Sequence, residues 1–243
     1  MFLVTAENTA LRMTISHSPA RTGWPIMRRL LIIASVLLAA FPIQADERYL
    51  STQQYISSNE QNYSDYTLRR IKHWQSMIHS AGNLAESKKL QAVNDFFNDM
   101  RFISDLEHWG QEDYWATPLE TLVSDGGDCE DFSIAKYFTL REMGVPQEKM
   151  RLTYVKALDL NQAHMVLTYF ETPDADPLIL DNLVRNIEPA TQRHDLLPVY
   201  SFNADGLWLA REHGKDQQVG SSTRLSQWNS VISRINNELL AAR

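Results

Sequence analysis

The chain has 243 residues, 44% of them hydrophobic and 10% aromatic, enough apolar material for one well-packed domain. Its 30 acidic residues outnumber 23 basic ones, and the formal net charge of -7 argues against nucleic acid or anionic lipid as the main partner. A single cysteine, Cys129, excludes an intramolecular disulfide.

The first 45 residues read as an address rather than as part of the fold. Arg28-Arg29 precede the apolar run Leu30 to Phe41, and Pro42 to Ala45 follow, the layout of a secretory signal. The run is shorter than the roughly 20 apolar residues of a membrane span, although an uncleaved inner-membrane anchor stays open as the other reading. No cysteine ends the run, which excludes lipid attachment there. Residues 1–26 are polar and unpatterned, so Met27 is a second candidate start, and the folded domain is expected over residues 46–243.

From Glu47 to about Met100 the pattern is helical, with Leu90, Val93, Phe97 and Met100 at helical spacing and a break expected at Gly82. An aromatic-rich connector runs from Trp109 to Trp115. Thr117-Pro118-Leu119-Glu120 then has the sequence of a capped helix start, with the helix ending in a turn at Asp125-Gly126-Gly127. A second helix is expected from Asp128 to Gly144, where Gly144-Val145-Pro146 stops it. The pattern turns extended at Arg151 to Val155, Met165 to Phe170 and Leu178 to Leu180, followed by a hairpin around Asn203-Ala204-Asp205-Gly206. Leu225, Trp228, Ile232, Ile235 and Leu239 stripe a C-terminal helix. N-terminal helices followed by an antiparallel sheet make this an α+β fold.

Cys129 falls in the first turn of a helix that opens after a glycine pair. Free N–H groups and the helix dipole there favour a thiolate, and the same amides suit a developing oxyanion. A lone cysteine is also commonly just a small buried hydrophobe. The base is open among seven histidines; His164, beside the apolar strand, is the best placed, and a surface or core histidine is the plainer reading. Asp181 closes Leu178-Ile179-Leu180 and suits the orienting third position, yet with Asn182 behind it equally suits a turn.

The block Gly126-Gly127-Asp128-Cys129-Glu130-Asp131-Phe132, with Ala163-His164 and Leu180-Asp181-Asn182 downstream, resembles the bacterial transglutaminase-like cysteine proteinases, a branch of the papain-like fold. The resemblance is strong over about Tyr114 to Leu183 and general elsewhere. It implies a catalytic triad of Cys129, His164 and Asp181. Asp125, Asp128, Glu130 and Asp131 crowd the cysteine, and like charge opposes thiolate formation unless a cation intervenes. The resemblance implies Ca2+ there, with Asp128 and Glu130 as ligands and Asp131 as a further one. It also implies a periplasmic protease that cuts the N-terminal region of a large surface adhesin near a pair of alanines, promoting biofilm detachment. An inner-membrane cyclic di-GMP receptor would sequester the enzyme. Transglutaminase or amidase chemistry by the same triad, and a non-catalytic binding module, are the alternatives.

Overall fold

The computed structural model describes residue 54, residues 56–210 and residues 216–241; the export segment and its candidate start Met27 lie outside them. Helix α1 (Asp65–Ser80) is capped by the Ser64 side chain, which accepts from the Thr67 backbone, and buries Ile71, Trp74 and Ile78. The expected break falls at residues 81–85, and α2 (Glu86–Asn98) then buries Leu90, Val93 and Phe97, three of the four stripe residues. Two short elements that the pattern did not announce follow, β1 (Arg101–Phe102) and α3 (Asp105–Trp109). At the start of α4 (Pro118–Ser124) the capping box is complete: Glu120 N–H donates to Thr117 Oγ1 and Thr117 N–H to Glu120 Oε2.

The Gly126-Gly127 pair, expected as part of a turn, is a short strand, β2 (Gly126–Gly127), that pairs in parallel with β1. Local turn chemistry is overridden here by close backbone approach. A Cβ on Gly126 would stand 2.5 Å from the Arg101 carbonyl, and one on Gly127 2.5 Å from Asp131 Oδ2. This pairing anchors the loop that leads into α5 (Cys129–Glu142).

Helix α5 is the axis of the molecule, with every residue from Asp131 to Leu140 buried. Its buried polar side chains are therefore all partnered. Ser133 donates to the Met165 carbonyl, Thr139 Oγ1 accepts from Trp74 Nε1, and Lys136 Nζ donates to Asn98 Oδ1. A Schellman motif closes the helix: Val145 N–H reaches the Leu140 carbonyl, Gly144 N–H reaches Arg141, and Gly144 sits at φ 80.

The strands β3 (Met150–Ala157), β4 (Gln162–Tyr169), β5 (Leu178–Leu180), β6 (Glu188–Pro189), β7 (Leu196–Phe202), β8 (Leu207–Leu209) and β9 (Gln217–Gly220) form one antiparallel sheet. Their order is β6-β5-β4-β3-β7-β8-β9. Helix α5 packs against β3 and β4, and α2 and α4 pack on α5. The expected α+β architecture, helices followed by an antiparallel sheet, is the observed one, with α6 (Ser226–Ala241) added at the end. Trp228 of α6 stacks on Phe138 and meets Tyr137 and Phe202 edge-on. Among the described residues no helix is long and apolar enough to cross a membrane.

The α6 contact to α4 has a pH signature. Glu238 accepts from Thr117 Oγ1 at 2.7 Å, while burial and then repulsion by Glu120 push its carboxyl from 4.5 up to about 7. A raised carboxyl is disfavoured as an anion in the folded state, so stability drains away as pH climbs from about 4.5 to about 7. Glu238→Gln keeps the acceptor and removes the charge. It is expected to match the wild type near pH 4 and to melt higher at pH 8, which paired thermal melts would show. Identical melting differences at both pH values would contradict this.

Candidate active site

Cys129 is the first residue of α5, half-buried, behind the extended N-cap Asp128. It lines a cleft of about 620 Å³ together with His164 and Met165 of β4. Trp115 and the stacked pair Tyr154 and Tyr200, 5.0 Å between ring centroids, form part of the walls. His164 is the third residue of β4, paired with Val155 of β3, rather than the residue that opens the strand. Its Nε2 lies 2.8 Å from Asp181 Oδ1. With Nε2 bound to Asp181, Nδ1 is the remaining ring nitrogen.

Asp181 follows β5 directly and is fully buried. Burial by itself would raise its pKa. The bond to His164 and its charge, the Leu183 backbone N–H and Arg193 outweigh that and hold the carboxyl at about 2. Asp181 is thus an anion at any working pH, as the orienting partner of an imidazole must be.

The acids around Cys129 divide into two groups. Asp125, in left-handed geometry at φ 65, ion-pairs with Arg70 at 2.8 Å and turns away from the cysteine. Asp128, Glu130 and Asp131 stay close to it and are joined by two residues that the sequence pattern did not single out, Asp105 and Asp113. Carboxylate oxygens of Asp105, Asp128 and Asp131 lie within 4.8 Å of one another, as do those of Asp105, Asp113 and Glu130. Oxygens bound to one Ca2+ at about 2.5 Å are at most about 5 Å apart, so both groupings fit one ion. Buried oxygens there also lack partners: among the described residues, Asp105 Oδ1 and Asp128 Oδ1 accept no hydrogen bond. Asp131 differs, because its Oδ1 accepts from Ala116 N–H at 2.6 Å and its Oδ2 from Asp128 N–H at 3.3 Å. It braces the helix start as well as facing the cluster.

Burial and mutual repulsion favour the protonated forms of these groups. Burial, then repulsion by Asp105 and Glu130, pushes Asp131 up to about 8. Burial followed by Glu130 and Asp131 raises Asp128. Burial, Glu130 and Asp128 likewise raise the Cys129 thiol, against a lowering hydrogen bond from the Met165 backbone. The thiol donates to Glu130 Oε2 at 2.8 Å. Asp105 and Asp113 carry no signal in the chain because each looks like an ordinary helix-start or connector acid. Only the β1–β2 pairing and the connector's path bring them to Cys129.

Residues 60–214 match the family model described as bacterial transglutaminase-like cysteine proteinase. Among the curated proteins none matches. Solved structures of LapG from Legionella pneumophila are similar. The EGTA-treated form is 42% identical, with a TM-score of 0.66, over 78% of this chain and 96% of that one. The calcium-bound form is 44% identical, again with a TM-score of 0.66, over 74% of this chain and 97% of that one. The chain therefore belongs to the bacterial transglutaminase-like cysteine proteinases.

Proposed function

We propose that this protein is a calcium-dependent periplasmic cysteine endopeptidase that cuts the N-terminal region of a large surface adhesin, releasing it and promoting biofilm detachment. One observation carries the reading: the sole cysteine opens a buried helix in the same cleft as a histidine held by a buried aspartate. His164 Nδ1 takes the thiol proton, and the Cys129 sulfur attacks the peptide carbonyl. The free N–H groups of the first turn of α5 stabilise the oxyanion. Collapse of that intermediate expels the amine, which receives the proton from His164, and water then hydrolyses the thioester. Asp181 keeps Nε2 in place and stabilises the imidazolium.

The calcium assignment is supported by the partnerless oxygens of Asp105 and Asp128 and by the calcium-bound LapG relative. Asp128 and Glu130 would hold the ion, with Asp131, Asp105 and Asp113 around them. Bound there, it supplies positive charge that offsets the carboxylates beside the thiol. Export through residues 1–45 would deliver a mature chain beginning near Asp46, and an inner-membrane cyclic di-GMP receptor would sequester it when adhesion is wanted.

The test is to incubate the mature chain with the N-terminal region of the adhesin encoded by the same organism. A single internal cut is expected, with no incorporation of a fluorescent primary amine. Amine incorporation in place of a cut would move the assignment to acyl transfer.

A further inference from the structure

Both carboxylate oxygens and the carbonyl of Asp181 are held. Oδ1 accepts from His164 Nε2 at 2.8 Å and Leu183 N–H at 2.9 Å, Oδ2 accepts from Arg193 Nη2 at 2.6 Å, and its carbonyl accepts from Asn98 Nδ2 at 2.8 Å. Arg193 sits just after a 3-10 turn (Ala190–Gln192), outside the motif block that marks the cysteine. It is 4% exposed, and its Nε and Nη2 fork onto Asp195 at 2.9 and 2.8 Å. Asp195 is tied in turn to the end of β3, because its carbonyl accepts from Leu158 N–H at 2.7 Å. The guanidinium is therefore fixed in position before it meets Asp181.

We infer that Arg193, locked by Asp195, is a positioning residue that holds the Asp181 carboxylate in the rotamer and charge state that aim His164 at Cys129. Two physical reasons lead there. A carboxylate with no exposure is strongly disfavoured as an anion unless a cation faces it, and among the described residues Arg193 is the one that ion-pairs with Asp181 besides His164, with Lys136 acting on it only at longer range. A carboxylate is also free to rotate about its last torsion unless both oxygens are held, and the guanidinium plane holds Oδ2 while Oδ1 faces the imidazole. Lys136 of α5 completes the grip. Its Nζ donates to Asn98 Oδ1 at 2.8 Å, which turns the Asn98 amide so that its nitrogen points at the Asp181 carbonyl. The nucleophile's own helix and the orienting aspartate are thereby joined through side chains.

The inference rests on the protease reading, so its test uses two readouts. Arg193→Met, Arg193→Lys and Asp195→Ala are compared with wild type and His164→Ala in calcium. The measurements are peptide-cleavage kcat and KM, the rate of Cys129 alkylation by iodoacetamide, and the melting temperature. Arg193→Met is expected to lower kcat by about 10- to 100-fold with KM unchanged, by analogy with the loss when an outer-shell partner that orients a metal ligand is removed. Its alkylation rate is expected to fall below wild type toward, without reaching, that of His164→Ala, with Arg193→Lys between it and wild type. Asp195→Ala leaves Arg193 in place and frees only the fork, so it remains informative if Arg193→Met does not fold, and a several-fold fall in kcat is expected. Wild-type kcat and alkylation in a folded Arg193→Met, or in Asp195→Ala where Arg193→Met is unfolded, would overturn the inference. Failure of the wild type itself to cleave any peptide would overturn the protease reading instead, leaving the alkylation comparison to decide the role of Arg193.

Discussion

Cys129→Ala is expected to fold as the wild type does and to lose cleavage almost completely, on the order of 10⁶-fold, the loss measured when a covalent nucleophile is removed from a triad enzyme. The fold should survive because the side chain is half-buried at the first position of α5 and the change removes one sulfur atom. No second thiol exists to replace it. His164→Ala should be comparably inactive. Asp181→Asn keeps the shape but presents a neutral amide to His164 and Arg193, with an expected loss of about 10⁴-fold. It should also melt lower, since the buried Arg193 then faces only Asp195. A Cys129→Ala preparation that cuts at the wild-type rate would sink the catalytic assignment.

Calcium removal is the second large effect. EGTA is expected to stop cleavage, and added Ca2+ to restore it where Mg2+ does not, because Mg2+ demands a tighter octahedral shell that keeps several waters. The melting temperature should climb with Ca2+, since an ion bound only by the folded state adds about 2.7 kcal/mol at a hundred times its Kd. Asp128→Ala and Glu130→Ala should lose both the activity and most of the melting shift. Asp105→Asn is the sharper probe: Asp105 is remote from Cys129 in the chain, and burial followed by repulsion from Glu130 pushes its carboxyl up to about 6. If it serves the ion, its replacement weakens the melting shift while calcium-free stability holds or improves. Cleavage that continues in excess EGTA on metal-stripped protein would leave the acids without a role in activity and refute the dependence.

Much of this protein was legible in its chain because the signals are local. Thr117 and Glu120 cap α4, Gly144 closes α5, and Asn203 to Gly206 turn the β7–β8 hairpin, each through contacts within a few residues. Cys129 at the head of α5, the α+β order and the acidic block around the cysteine follow from the same short-range rules. What the tertiary structure alone decided is which distant groups face that block. Asp105 and Asp113 reach it through the β1–β2 pairing and the connector, Asp125 is drawn off by Arg70, and Arg193 reaches Asp181 from beyond β6. Buried charge selects its partners by proximity in space, where low dielectric makes an unpaired ion costly, and neither periodicity nor propensity records that proximity.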